Sequence, residues 1–482
     1  MRSEVALDIR EYLRRKFENK NCFVLGFARS NKPLIEILLS VDAKVTVCDK
    51  KRETEEGEEA VALKARGVRF VTGDGYLDDI CGDYIFRSPG IRDLQPEIQN
   101  AIEGGAVLSS EMELFFEVCP CPIFGITGSD GKTTTTTLTH LLLAKEKEKS
   151  GKGRAYVGGN IGAPLLPRVF EMTEDDIAVV ELSSFQLQTM TVSPTRAIIT
   201  NITPNHLNWH ADMGEYVVAK RNICCHLGIE HLVVNRENTI THGIAQSLDV
   251  AAAYFSSLRS SYDEIVPFFK KNSIAVYEKD GAIIIDDGVN AEKVIDTSDI
   301  LLPGRHNVEN YMAAIAITRG LVSKETVKEV ANTFGGVEHR LELVREKDGV
   351  KFYNSSIDSS PTRTAAAISA LPKAPVIILG GEDKNVPFDG LALDVCTRVK
   401  AAVVTGVAAP KILDAIYNCP KYDPETVKVK HIDDFRDAVI AATEMAESGD
   451  IVLLSPACTS FDHFKDFAER GNYFKEIVNS LE

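Results

Sequence analysis

The sequence predicts an α/β protein of three domains: a Rossmann-like N-terminal domain, a central P-loop ATPase-like domain with a parallel sheet, and a Rossmann-like C-terminal domain. Three observations lead there. Apolar runs ending in glycine or a polar residue alternate with amphipathic stretches along the chain, the pattern of strand–helix–strand units. "NCFVLGFARSNKPLIEILLSVDAKVTVCDKK" reads strand, glycine turn, helix, strand and acid, half of a Rossmann-type unit. "CPIFGITGSDGKTTTTTLTHLLL" reads strand, glycine-rich loop and helix. With 482 residues the chain is too long for one core, and punctuation divides it at 1–110, 111–335 and 336–482.

In the first segment only Gly26 stands where a dinucleotide fold would show G-x-G-x-x-G. Asp49 closes the second strand 23 residues later, about where an acid binds a ribose or a base. "YIFRSPGI" (84–91) ends another strand in a Pro-Gly turn at the same sheet edge, where ligands of such folds gather.

The second segment opens with the loop T-G-S-D-G-K-T-T, shorter than the strict G-x-x-x-x-G-K-[ST] pattern. The chemistry survives the shortening. Gly128 and Gly131 let backbone N–H groups around Ser129 and Asp130 turn onto phosphate oxygens, and the helix N-terminus adds positive potential. Lys132 reaches the outer phosphates and the Thr133 hydroxyl holds Mg²⁺, with Thr134 beside it. "DIAVVELSSFQL" puts Glu181 at a strand end, "RAIITNITPNHLNWH" puts Asn201, Asn205 and His206 just past the next strand, and the helical "GEYVVAKRNICCHL" carries Lys220. A carboxylate at a strand end beside a phosphate loop is an Mg²⁺ ligand position. Each of the three also has a plain alternative: Glu181 as a helix cap, His206 as a loop histidine, Lys220 as a surface lysine. Asp280–Gly281 marks a hairpin, Asn307 and Asn310 share a helix face, and the Lys/Glu/Gly stretch 145–154 reads as a solvated loop. The third segment again alternates strands and helices, through "APVIILGGEDK", "AAVVTG" and "DIVLLSPACTSFDHFKDFAERGNYF".

Composition narrows the function. Fifty-four basic against 70 acidic residues give a net charge of −16, which argues against nucleic acid or an anionic membrane as the main partner. No apolar run approaches a membrane span, and "MRSEVALDIREYLRRKFENK" reads as a charged helix rather than a signal peptide. The ten cysteines form no C-x-x-C pair and no zinc spacing, so buried free thiols in a reducing cytosol are expected.

Taken together, "GITGSDGKTT", "GGNIG", "VVELSSFQL", "NITPNHLNWH", "LPGRHNVEN", "GVEHR" and "SPACTSFDHFKDFAERG" resemble the Mur ligases over nearly the whole chain. The C-terminal stretch resembles the D-glutamate-adding branch. The resemblance implies a cytoplasmic, monomeric, ATP- and Mg²⁺-dependent ligase that activates the alanyl carboxylate of UDP-N-acetylmuramoyl-L-alanine as an acyl phosphate. It implies that Lys132 and Thr133 hold ATP phosphates and one Mg²⁺, and that Glu181 and His206 hold metal with Lys220 as a carbamate. Asn307 and Asn310 would contact adenine, and Arg340 the γ-phosphate from the domain hinge. Gly26, Phe27, Ala28, Arg29, Asp49 and Lys50, with Ser88, Pro89, Gly90 and Asn160, would take the UDP-substrate, and Ser359, Lys384, Ser460 and Phe467 D-glutamate. The chain departs from the family pattern at Asn208, Ser355, Asp358 and Ser359. Rival readings are an oxidoreductase built on the first segment, a regulatory NTPase, and a ligase for another amino acid such as a folylpolyglutamate synthetase-like enzyme.

Overall fold

A computed structural model of the chain describes residues 9–51, 57–207, 209–270, 273–383 and 386–481. Two compact units emerge from it: Met1–Asp299 with Val308–Val330, and Ile300–Asn307 with Ala331–Glu482.

The first unit holds two sheets. In the smaller, β1 (Asn21–Leu25), β2 (Lys44–Asp49), β3 (Arg69–Thr72), β4 (Tyr84–Arg87) and β5 (Val107–Ser109) lie in the order 3-2-1-4-5, and every pair is parallel. The chain order reverses between β1 and β4. Their C-terminal ends therefore open a crevice at the turns after Leu25 and Arg87, where Gly26 and Ser88 stand.

The larger sheet has nine strands: β6 (Ile123–Thr127), β7 (Ala155–Gly159), β8 (Ile177–Glu181), β9 (Arg196–Ile199), β10 (His231–Asn235), β11 (Ala251–Ser256), β12 (Ile274–Lys279), β13 (Ala282–Asp286) and β14 (Ala291–Asp296). The order is 14-13-12-11-10-9-6-8-7. The strand entering the phosphate loop thus lies between the two strands that lead to Glu181 and to Asn201, with Ile126 opposite Glu181 and Thr127 opposite Ile199. Strands β6 and β8 are buried along their whole length and read as unbroken apolar runs, as strands covered on both faces must. Beyond β12 the sheet turns antiparallel through the hairpin at Asp280 (φ 51°) and Gly281 (φ 75°), two left-handed residues as expected from the dipeptide. It ends at β14, whose Glu292 and Lys293 are exposed. One continuous apolar cluster, including Val24, Leu38, Phe115, Val169 and Val180, underlies both sheets of this unit.

The second unit carries β15 (Glu342–Lys347), β16 (Val350–Asn354), β17 (Val376–Gly380), β18 (Ala401–Thr405), β19 (Lys428–His431) and β20 (Ile451–Leu454) in the order 15-16-20-17-18-19. All pairs but β15–β16 are parallel. Separate apolar clusters cover its two faces, one around Leu379 and Val404, the other around Ile378 and Phe474.

The stretch 145–154 is not a loop throughout. The helix Lys132–Ser150 runs through it to Gly151. The charges that suggested solvation are paired: Lys145 and Lys149 bind Glu329 at 3.0 Å each, and Glu146 accepts from Ser323 and Thr326. Cys22, Cys48 and Cys396 are buried, as the apolar contexts suggested, whereas Cys81 and Cys225 are exposed. Among the described residues no helix is long and apolar enough to cross a membrane.

Candidate active site

The phosphate loop rests on the segment after β9. The Ser129 N–H donates to Asn201 O (2.9 Å), the Asp130 N–H to Asn201 Oδ1 (2.9 Å), and Thr200 Oγ1 donates to Asp130 O (2.6 Å). Ser129 Oγ lies 3.0 Å from Thr203 O and 2.9 Å from the Tyr216 hydroxyl. Ser129, expected to face phosphate, thus spends both its N–H and its hydroxyl on the protein, and the Asp130 N–H is likewise engaged. Gly131 then enters the helix with φ 78°, and no side chain caps that N-terminus. The anion-facing donors are therefore the first-turn amides around Lys132, Thr133 and Thr134. Lys132 Nζ donates to Ser129 O at 2.9 Å, folded across the loop. Asn310 is buried and its Oδ1 accepts from Thr135 Oγ1 (3.1 Å), which anchors the loop helix.

Glu181 is 1% exposed. Its Oε1 accepts from Asn160 Nδ2 at 2.9 Å, while Oε2 is buried without a hydrogen-bond partner. An unpartnered buried carboxylate oxygen costs at least about 1–3 kcal/mol. A hard cation would relieve that cost, and Mg²⁺ typically takes one or two carboxylates plus substrate phosphates. The residues fit such an ion. Among the described residues no three His, Cys, Asp or Glu side chains converge, and the group that could offer such an ion a free oxygen is the Glu181 carboxylate. Asn160, assigned from sequence to the UDP-substrate, also donates its backbone N–H to the main-chain carbonyl of Glu181 (2.8 Å), so it holds that residue by both its backbone and its carboxylate.

His206 stands on the exposed side of this site with a left-handed backbone (φ 54°). Its ring meets Phe185 edge-on at 5.0 Å, and burial, then the charges of Lys132 and Lys220, hold its pKa below the ordinary value. Lys220 is 2% exposed on the helix Met213–Arg221 and is no surface lysine. Its Nζ donates to Gly128 O (2.8 Å) and Thr127 Oγ1 (3.3 Å) and lies over the Tyr216 ring. Burial, then the Lys132 charge, pulls its pKa from 10.5 down to about 7, against the smaller opposing pull of Asp130 and Glu181.

In the smaller sheet Gly26 has φ 91°, and a Cβ there would come within 2.7 Å of Ser88 Oγ, so the two candidate turns touch. Asn31, missed in sequence, ties them together through Nδ2 to Gly26 O (3.0 Å) and Ser88 Oγ (3.0 Å). Asp49 accepts from the Phe27 and Lys51 amides (2.5 and 2.8 Å) and so shapes the turn. Ala28, Arg29, Lys50 and Gly90 are exposed and Pro89 is half-buried.

The second unit contains Asn307, Arg340, Ser359, Ser460 and Phe467, and Lys384 and Asn208 lie outside the described residues. Asn307 Nδ2 donates to Pro303 O (2.7 Å). Arg340 is exposed, Ser359 half-buried and Ser460 buried, and the Phe467 ring meets His339 edge-on at 5.9 Å. Asp358 points inward: its Oδ2 accepts from Ser455 Oγ (2.9 Å), and burial pushes its carboxyl above the ordinary range. Arg470, quoted in the C-terminal motif but given no role, is 2% exposed and donates to Ser356 Oγ and O and to the carbonyls of Cys458 and Thr459. It fixes the loop leading to Ser460.

Residues 126–318 match the Mur ligase middle domain, and residues 339–458 match the Mur ligase glutamate ligase domain. The chain is 43% identical over 473 residues to the UDP-N-acetylmuramoylalanine–D-glutamate ligase of Acetivibrio thermocellus, covering 97% of this chain and 98% of the relative. It is 44% identical to the enzyme of the same name from Clostridium novyi, covering 96% and 97%. The chain belongs to the Mur ligase family. Solved members share the fold at low identity. A UDP-N-acetylmuramate–alanine ligase from Thermotoga maritima aligns with a TM-score of 0.54 at 17% identity, covering 96% of this chain and all of that one. A UDP-N-acetylmuramoyl-L-alanyl-D-glutamate–2,6-diaminopimelate ligase aligns with 0.55 at 16%, covering 97% and 94%.

The lowered pKa of Lys220 makes this Mur ligase's stability pH-dependent in a defined direction. The unfolded chain keeps the proton to about 10.5 and the folded chain releases it near 7, so the penalty is full below 7 and shrinks as pH rises between those values. In carbon-dioxide-free buffer, urea denaturation of Lys220→Met and wild type should show the difference moving toward wild type by about 2 kcal/mol from pH 7 to pH 9. An unchanged difference would mean that Lys220 keeps its ordinary pKa.

Proposed function

We propose that this protein is an ATP-dependent ligase that joins D-glutamate to UDP-N-acetylmuramoyl-L-alanine through an acyl phosphate, acting as a monomer in the cytoplasm without nucleic acid or membrane. The observation that carries the reading is a phosphate loop hydrogen-bonded strand to strand with a buried carboxylate that keeps one oxygen unpartnered. It stands in a chain 43% identical over its length to a ligase of that name.

Amide formation from a carboxylate in water is uphill, so the carboxylate must first be activated. Its oxygen attacks the γ-phosphorus of ATP, the bridging P–O bond breaks and ADP leaves. The amine of D-glutamate then attacks the acyl carbon, loses a proton, and phosphate departs. Lys132 and the first-turn amides of its helix would hold the transferring phosphate, work that is mostly positioning and charge stabilisation. Mg²⁺ bound by Glu181 and Thr133, with His206 alongside, would neutralise phosphate charge. The turns at Gly26–Arg29, Asp49–Lys50 and Ser88–Gly90 would hold the UDP-sugar. Asn307, Asn310 and Arg340 would serve ATP. Ser359, Lys384, Ser460 and Phe467 would take D-glutamate, with Lys384 as a point charge for a carboxylate.

Lys220 in this reading is a carbamate. A free ammonium beside Mg²⁺ repels it. A lysine whose pKa lies near 7 is instead substantially neutral at physiological pH, and its amine can add carbon dioxide to give an anion with two oxygens.

Three measurements test the reading. ADP release should require both UDP-N-acetylmuramoyl-L-alanine and D-glutamate; equal turnover with L-glutamate, or full ATPase activity with neither, would overturn it. Lys132→Ala should stay folded and lose about 10²–10³-fold in kcat, the scale of one transition-state charge contact; a loss of only a few-fold would remove Lys132 from the phosphate site. Lys220→Ala should be nearly inactive and regain part of its turnover with acetate, whose carboxylate can occupy the vacated space; near-normal turnover without acetate would sink the carbamate.

A further inference from the structure

Two arginines at the ends of one turn reach from the small sheet to segments that flank the phosphate loop, and the proposed reaction uses neither. Arg87 is 2% exposed. Its Nη1 donates to Ile91 O (2.5 Å) and Pro89 O (3.3 Å), gripping the turn that carries Ser88, Pro89 and Gly90. Its Nη2 donates to Phe185 O (2.8 Å) and Thr189 Oγ1 (3.2 Å), just downstream of Glu181. The Phe185 ring in turn packs against His206.

Arg92 closes the other end of the turn. Its Nη2 pairs with Glu215 Oε1 at 2.9 Å, and its guanidinium lies over the Trp209 ring. Glu215 also accepts from Gln188 Nε2 (2.9 Å) and from the Ala211 amide. It sits in the first turn of the helix whose Tyr216 and Lys220 contact Ser129 and Gly128 O. An unbroken series of hydrogen bonds and packed rings thus runs from the turn to the phosphate loop. A guanidinium suits this place because its planar fork engages two partners at once in fixed directions.

We infer that Arg87 and Arg92 are positioning residues that couple occupancy of the UDP-substrate turn to the geometry of the phosphate loop; the inference rests on the functional reading above. A ligand that orders the turn orders both guanidinium groups, and through them the segment after Glu181 and the helix of Lys220. By linkage, filling the phosphate site must tighten the turn by the same factor.

Titration calorimetry on the full chain tests this, with UDP-N-acetylmuramoyl-L-alanine as titrant, in the presence and absence of β,γ-imido-ATP and Mg²⁺. Wild type should bind the UDP-sugar about five-fold or more tightly with the nucleotide present, a typical coupling. Arg92→Met should bind it within about two-fold of wild type without nucleotide, and its nucleotide-dependent tightening should fall below about two-fold. Thr189→Val, which leaves every charge in place, should weaken the coupling in the same direction and serves if Arg92→Met folds poorly. Arg92→Lys, which keeps the charge but not the fork, should fall between. A variant that tightens as wild type does overturns the inference, as does one that loses affinity equally under both conditions. Wild type that binds the UDP-sugar without tightening overturns the coupling alone; wild type that binds no UDP-sugar overturns the functional reading with it.

Discussion

The geometry of the site depends on the contact between Gly128 and the segment after β9. A Cβ on Gly128 would lie 1.8 Å from Thr200 Oγ1 and 3.2 Å from Asn201 O, so any side chain there would push the two segments apart. Their closeness lets Thr200 and Asn201 bind the backbone of Ser129 and Asp130, which turns the loop and delivers Gly131 to the start of its helix. It also brings the Gly128 carbonyl within reach of Lys220. The left-handed Gly131 meets the same condition on its other side, where a Cβ would fall 2.6 Å from Asn310 Oδ1. Glycine matters in this loop because protein, as well as ligand, lies against the backbone.

The polar interior around this contact is unevenly satisfied. The Thr127 hydroxyl donates to Leu182 O, and the Ser129 hydroxyl has two neighbours. Glu181 Oε2 and Lys220 are the expensive members, one without a partner and one whose charged form its burial disfavours. Costs of this kind concentrate where chemistry is done. The second unit shows the opposite case: Arg470 spends its guanidinium on four acceptors within its own loops, and the buried Asp358 has Ser455 as a donor.

Much of this was legible in the sequence because strand ends and glycine loops are local patterns. β6, β8 and β9 stop where apolar runs meet Gly128, Glu181 and Asn201, and parallel pairing then places those ends side by side. What could not be read was the direction in which a polar side chain points. The side-chain amide of Asn160, a residue expected at the UDP-substrate, donates to Glu181, 21 residues away in sequence. The side-chain oxygen of Asn310, a residue expected at adenine, accepts from Thr135. The run of charges after residue 145 resembled a solvated loop because its partner Glu329 comes from a distant helix. Asn31 and Arg87 gave no signal, since a buried polar residue is recognisable only once its acceptors have been assembled by the fold.

The far edge of the large sheet has a quieter consequence. The antiparallel hairpin ends on a strand in which Glu292 and Lys293 are both exposed, with Lys324 paired to Glu292 beside it. An unpaired strand edge is a template on which another chain can stack, and charges along it oppose that addition. At this edge the nine-stranded sheet can therefore stop without inviting a further strand from a neighbouring molecule, which opposes fibre-like association in a crowded solution.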